Sequence, residues 1–194
     1  VSITGNAVAN TLTGNTANNT ITGGDGVDAV VYNHNYDDYT ITSSGSTFTI
    51  TGPQGTDTLI GIEKAVFSDK AVHFAWQGGR TIQAAISAAS AGDVVQLAAG
   101  TYAEDVTIAK SITVRGPNAA ISPNTIPSAR LPEAIVSTVD RTFKITAANV
   151  DVTIEGLTIQ GGRPLHDENT INATETSVRF EKNRVINGGP LFVG

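Results

Sequence analysis

Cysteine is absent from the 194 residues. Neither a disulfide framework nor a thiolate metal site is therefore available, and cysteine redox chemistry is excluded. Positive charge is scarce: twelve Lys and Arg stand against eighteen Asp and Glu, for a formal net charge of −6 and a pI near 4.9. Such a chain repels polyanions on average, so no nucleic-acid partner is expected. No apolar run approaches the length of a bilayer span, so no membrane span is expected either. The opening "VSITGN" has neither Met nor a charged, apolar targeting segment, and the closing "NGGPLFVG" stops just after a repeat-like unit. The chain reads as a piece cut from something longer. Catalytic signatures are few. His34, His73 and His166 lack ligand spacing, no HExxH, GxGxxG or P-loop pattern occurs, and the serines have no nucleophile elbow around them.

What is present is a beat of nine. The first 31 residues contain GNAVANTLT (Gly5 to Thr13), GNTANNTIT (Gly14 to Thr22) and GGDGVDAVV (Gly23 to Val31). The first position is always Gly, the sixth is Asn10, Asn19 or Asp28, and the eighth is Leu12, Ile21 or Val30. Glycine permits a tight turn with positive φ, and a single aliphatic residue per unit supplies a thin core. The third unit fits G-G-x-G-x-D-x-U-x at every position. It resembles the repeat-in-toxin nonapeptide of secreted bacterial proteins, whose units wind into a parallel β-roll that binds calcium.

The resemblance implies a ligand set. Successive repeats in that family alternate sides, so a site joins a unit to the next but one, which pairs Asn10 with Asp28. Asp28 is the implied principal carboxylate, with Asn10 opposite it and backbone carbonyls near Gly24 and Gly26 completing the shell. Asp25 is a lesser candidate because its motif position is variable. The departures count against a strong site: two sixth positions carry Asn, and Val8 and Ala17 stand where Gly is usual. Calcium affinity rises with ligand charge, so one weak site at most is expected.

After Val31 the period changes to two. "DDYTIT" places Tyr39 and Ile41 on one face, "TFTIT" does so with Phe48 and Ile50, and "SSGS" (Ser43 to Ser46) signals a hairpin turn. In "GTDTLIGIEKAVFSD", Leu59, Ile62, Val66 and Phe67 read as a small core, with Gly61 at a turn. Together these segments resemble the small β module that commonly follows calcium repeats. Asp37, Asp38, Asp57 and Asp69 read as turn and cap formers first and as metal ligands second.

"AWQGGRTIQ", with Trp76 and Gly78–Gly79, looks like a joint. Beyond it Ile82, Ala85, Ile86 and Ala89 keep helical spacing, with Thr81 as N-cap and Gly92 as C-cap, which predicts a helix over 81–91. The following "GDVVQLAAGTY" and "KSITVRG" resemble the first coils of pectin-lyase-like right-handed parallel β-helices, whose open end such a helix covers. An internal alignment agrees. "VTIEGLTIQGG" (Val152 to Gly162) matches "VRFEKNRVING" (Val178 to Gly188) after a shift of one coil, superimposing Ile154 on Phe180, Glu155 on Glu181 and Ile159 on Val185. The Pro-rich stretch Pro123 to Ala134 reads as a loop leaving the coil.

The same alignment stacks Glu155 on Glu181, with Arg115 in the column. Carboxylates and bases gathered on one solenoid face serve sugar-ring proton abstraction or glycoside hydrolysis. Beside Arg179 and Lys182, however, the column reads better as an ordinary solvated face, and no catalytic residue is assigned. The expected fold class is all-β: a β-roll remnant over 1–31, a small β module over 32–76, and the capped N-terminal coils of a parallel β-helix over 77–194. The expected function is a calcium-stabilised structural or binding module of a large secreted or cell-surface bacterial protein. Calcium ions are its partners, with extracellular polysaccharide or cell-surface components as further ones. The alternative is a fragment of an extracellular polysaccharide lyase, epimerase or hydrolase, since alginate-epimerase-like proteins combine both kinds of module.

Overall fold

The computed structural model describes residues 1–122, 130–138, 141–161, 163–167 and 177–186. Most of the expected Pro123 to Ala134 loop, Gly188 and the chain's end lie outside them, as does the His166 side chain, while Ala134 itself opens a strand. The nine-residue beat becomes a series of very short strands: β1 (Ser2–Thr4), β2 (Thr11–Leu12), β3 (Thr20–Thr22) and β4 (Ala29–Val31). β1 pairs with β3 and β2 with β4, both parallel, with Ser2 opposite Thr20 and Thr11 opposite Ala29, two units along in each case. Consecutive units thus alternate between two sheets. Ile21 and Val30 are fully buried, and Ile3 and Leu12 pack against the same core.

A single 3-10 turn (Tyr36–Asp38) leads to an antiparallel meander of β5 (Thr40–Ser44), β6 (Thr47–Gly52) and β7 (Gly55–Ile60). Its first hairpin turns at Gly45, φ +58°, inside the "SSGS" signal. β7 continues the sheet of β3 in parallel, Leu59 opposite Ile21. β8 (Lys64–Val66) lies parallel to β4 and antiparallel to β9 (Ala71–Ala75).

After the helix α1 (Ile82–Ala88) come β10 (Val94–Leu97), β11 (Gly100–Tyr102), β12 (Val106–Ile108) and β13 (Ile112–Arg115). They are followed by β14 (Ala134–Ser137), β15 (Arg141–Ile145), β16 (Asp151–Glu155), β17 (Thr158–Gln160), β18 (Arg163–Asp167), β19 (Ser177–Glu181) and β20 (Arg184–Ile186). These strands return in rotation to three parallel ladders: β10-β13-β16-β19, β11-β14-β17-β20 and β12-β15-β18. The register matches the internal alignment, Val152 opposite Val178, Ile154 opposite Phe180, Glu155 opposite Glu181 and Ile159 opposite Val185.

Strands dominate, and α1 is the one α-helix among the described residues, so the fold class is all-β. The two larger sheets are mixed rather than uniformly parallel. One runs β1-β3-β7-β6-β5, the other β19-β16-β13-β10-β9-β8-β4-β2, with polarity reversing between β8 and β9.

That long sheet carries a separate core on each face. Val72 and Phe74 of β9 and Val94 of β10 join Ile21, Phe48, Ile50 and Leu59 in one cluster. Ala75, Val95 and Leu97 join Ile82, Val106, Val114, Phe143 and Ile154 in the other. Alternation along a strand sends neighbours to opposite faces. β9 and β10 are where the two cores overlap, which is why all four residues of β10 are buried.

The helix buries Ile82, Ala85, Ile86 and Ala89, the stripe that the sequence predicts. Thr81 Oγ1 accepts the Ala84 N–H at 3.0 Å, and the Glu104 carboxylate takes the Ile82 and Gln83 N–H groups at 2.9 and 3.0 Å. Its C-terminal end corrects the expectation. The helix stops at Ala88, and Lys110 Nζ donates to the Ile86 and Ala89 carbonyls at 3.1 and 2.6 Å. A lysine from another segment thus satisfies the last carbonyls, so a left-handed glycine cap is not needed. Gly92, φ +90°, instead serves the turn before β10.

Candidate functional site

The three nine-residue units share a turn, but they close it differently. In the first, Asn6 Oδ1 accepts the Val8 N–H at 3.0 Å, an Asx-turn, and in the second Asn15 Oδ1 accepts the Ala17 N–H at 3.0 Å. The third has glycine at that position. Gly24 and Gly26 adopt φ +112° and +110° and press against the first turn, where a Cβ on Gly24 would lie 2.4 Å from Asn6 O and one on Gly26 2.9 Å from Ala9 N. Asparagine in the second position of a unit is the sequence signal for that Asx-turn.

The sixth positions then differ in what meets their oxygens. Asn10 Oδ1 accepts the Asn6 N–H at 2.8 Å, and Asn10 Nδ2 donates to Asn6 Oδ1 at 3.3 Å. Asn19 is 3% exposed; its Nδ2 is shared among Asn15 O, Ala17 O and Asp57 Oδ1, and its Oδ1 has no hydrogen-bond partner. Asp28 is fully buried. Its Oδ1 accepts the Asn10 N–H at 2.8 Å, whereas Oδ2 has no hydrogen-bond partner. A buried carboxylate oxygen without a donor is costly and calls for an ion or a water.

The surroundings of that oxygen are further acceptors. A Cβ on Gly23 would collide with Gly61 O and with Asp28 Oδ2, so both oxygens lie against the same side of Gly23 and any side chain there is barred. Gly24 O also faces Gly61, at 3.7 Å from the place of its Cβ. A carboxylate oxygen and a backbone carbonyl are donors of the kind that a hard cation such as calcium takes. Of the predicted ligands, the structure brings Asp28, Gly24 and Asn10 into one stack of turns. The Asn10 backbone N–H donates to Asp28 Oδ1, while the open Asp28 Oδ2 lies against Gly23. Asp25 is exposed at the turn's tip, and Gly26 packs on the first turn.

Above Asp28 the column ends in charge of both signs. Glu63 Oε2 accepts the Asp28 N–H at 2.7 Å, and Arg80 Nη1 donates to Glu63 O at 2.7 Å. Burial pushes the Glu63 carboxyl up, against the pull of the Asp28 N–H and of Arg80. The other acids act as acceptors for the fold. Asp57, 2% exposed, takes the Asn19 N–H at 2.9 Å and the Tyr32 hydroxyl at 3.1 Å. Burial first, then the Asp57 charge, pushes the Tyr32 phenol up. Asp38 Oδ2 accepts the Asn35 N–H and Asp69 Oδ1 the Tyr36 N–H, so both are caps rather than ligands. Among the described residues no three His, Asp or Glu gather as a metal cluster, so a cation at Asp28 would rest largely on carbonyls.

The Arg115, Glu155 and Glu181 column exists as a ladder of β13, β16 and β19. Arg115 Nε lies 3.2 Å from Glu155 Oε1, and its Nη1 donates to the Tyr36 hydroxyl at 2.6 Å. Glu155 is thereby paired with a fixed cation instead of standing free as a base. Compared with known proteins, the chain matches no family model, no curated protein and no solved structure.

Proposed function

We propose that the chain is a calcium-stabilised structural and binding module of a large secreted or cell-surface bacterial protein. In this reading residues 1–31 form a short β-roll of the repeat-in-toxin kind, residues 32–76 a small β module that completes it, and residues 77–194 the first coils of a right-handed parallel β-helix capped by α1. Pairing two units apart supports the roll. The return of strands to three parallel ladders supports the coils. An extracellular polysaccharide or a cell-surface component is the partner class that the reading implies.

The observation that carries calcium is Asp28 Oδ2, a buried carboxylate oxygen with no donor on the side of Gly23 that Gly61 O also crowds. Bound there, calcium supplies the positive charge that this pair of oxygens lacks. Thermal melts in chelator and in millimolar calcium test the reading. The wild type should melt higher with calcium, by an amount equivalent to less than about 1 kcal/mol at a concentration equal to the dissociation constant, and Asp28→Ala should not respond. Identical wild-type melts in both buffers would overturn it.

A further inference from the structure

We infer that the side-chain amide of Asn19 takes the place of a cation in the second turn, so that the protein's own protons close that turn and only the third turn responds to calcium. The second half of this inference rests on the calcium reading of Asp28; the first half does not. Three acceptors converge on Asn19 Nδ2: Asn15 O at 3.2 Å, Ala17 O at 2.5 Å and Asp57 Oδ1 at 2.7 Å. Two carbonyls of a turn and one carboxylate from the neighbouring strand are an oxygen set suited to a metal. What stands among them is an NH₂ group with two donors and no net charge. The three acceptors also fix which end of the amide is nitrogen.

The Asp57 charge is met without a metal as well. Its Oδ1 accepts from both the backbone N–H and the amide of Asn19, and its Oδ2 accepts from Tyr32. Charge-assisted bonds of this kind are about twice as strong as neutral ones, and here three of them act on one buried carboxylate. The first turn is likewise closed by protein donors, since Asn6 N–H meets Asn10 Oδ1 and Asn10 Nδ2 meets Asn6 Oδ1. The third turn differs by one atom. Asp28 brings a carboxylate oxygen where Asn19 brings its nitrogen. Asn19 Oδ1 and Asp28 Oδ2 are both buried without a hydrogen-bond partner, but only the aspartate adds the charge that a cation would meet. Asn19 and Asp28 are therefore not a weak and a strong ligand of one kind; Asn19 is a built-in donor, and Asp28 is an acceptor for an external cation.

Reciprocal substitutions in the full chain test this. Asn19→Asp sets a second carboxylate against Asp57 and two carbonyls, with no donor from its own side chain. Its urea midpoint should fall in chelator and recover in millimolar calcium, and calorimetry should count two calcium sites instead of one. Asp28→Asn supplies an amide beside Gly61 O, so its midpoint in chelator should match or exceed that of the wild type and calcium should no longer shift it. Asn19→Ala should lose stability equally in both buffers.

An Asn19→Asp protein as stable as wild type in chelator, or one whose loss calcium does not repair, would overturn the inference. So would an Asn19→Ala protein as stable as wild type, which keeps the test decisive if the aspartate variant fails to fold. A calcium response in Asn19→Asp but not in wild type would sink the Asp28 reading while leaving the role of Asn19 intact.

Discussion

Val94 and Val95, adjacent in β10, are buried in different cores: Val94 packs with the aromatic cluster around Phe48 and Phe74, and Val95 with the cluster around Ile82 and Val114. One strand thus belongs to both halves, and neither half retains its core wall if β10 leaves. The chain should melt in a single transition. Val94→Ala and Val95→Ala should each lower that transition by about 2 kcal/mol, detected equally by near-ultraviolet signals from the aromatic half and by amide exchange in β13 and β16. Two resolved transitions would mean that the shared sheet does not couple the halves.

The helix packs into the second core through Ile82 and Ile86, both nearly inaccessible to water. Ile86→Asp places an unpaired charge there and should cost several kcal/mol, on the order of 3–5. A denaturation midpoint equal to that of the wild type would show that α1 contributes nothing to that core.

His73, 4% exposed on β9, lies 3.2 Å from Asp93 Oδ2, which also accepts the Ser90 N–H, while Oδ1 takes the Ala71 N–H. Burial holds its imidazole below the usual histidine range, against the pull of Asp93 and together with the repulsion of Arg80 and Lys64. The folded state therefore keeps His73 neutral at pH values where the unfolded chain has begun to take up a proton. Stability is fully present above the ordinary value near 6.5 and falls as pH drops below it, by no more than about 1.4 kcal/mol per pH unit. Melts between about pH 7.5 and 5.5 should show that slope in the wild type and a flatter one in His73→Gln. Equal slopes would assign the acid sensitivity elsewhere.

The Arg115–Glu155 pair is partly exposed, at 33% and 13% of the two side chains, so Glu155→Gln should change stability by less than about 1 kcal/mol. The isolated chain should release no unsaturated or reducing ends from pectate or alginate. Product that disappears in Glu155→Gln or Glu181→Gln would replace the structural reading with the enzymatic one.

The repeats carried most of the fold that could be read in advance. The nine-residue beat anticipates the pairing of Leu12 with Val30, and the later alignment anticipates Ile154 opposite Phe180, because a residue that faces a stacked core recurs at the length of one turn. The reversal between β8 and β9 was not legible. "KAVFSDKAVHFA" has the same alternation whichever way the second strand runs, and only the core it must cover decides. The burial of Gln96 and of His73 in strands shared by two cores was hidden for the same reason. At the site, Asp28 stood out as the charged sixth position. Gly61 and Asp57 read only as a turn glycine and as one of four turn or cap acids, since they meet the nine-residue units from outside them and are placed there only by β7 and the turn after it.

Calorimetric titration of calcium into the wild type and into Asp28→Ala tests the central claim most directly. The account predicts one site in the wild type with a dissociation constant on the order of 10⁻⁴ to 10⁻³ M, and no binding heat in Asp28→Ala. Tight binding that survives the loss of Asp28, or no binding by the wild type at all, would contradict it.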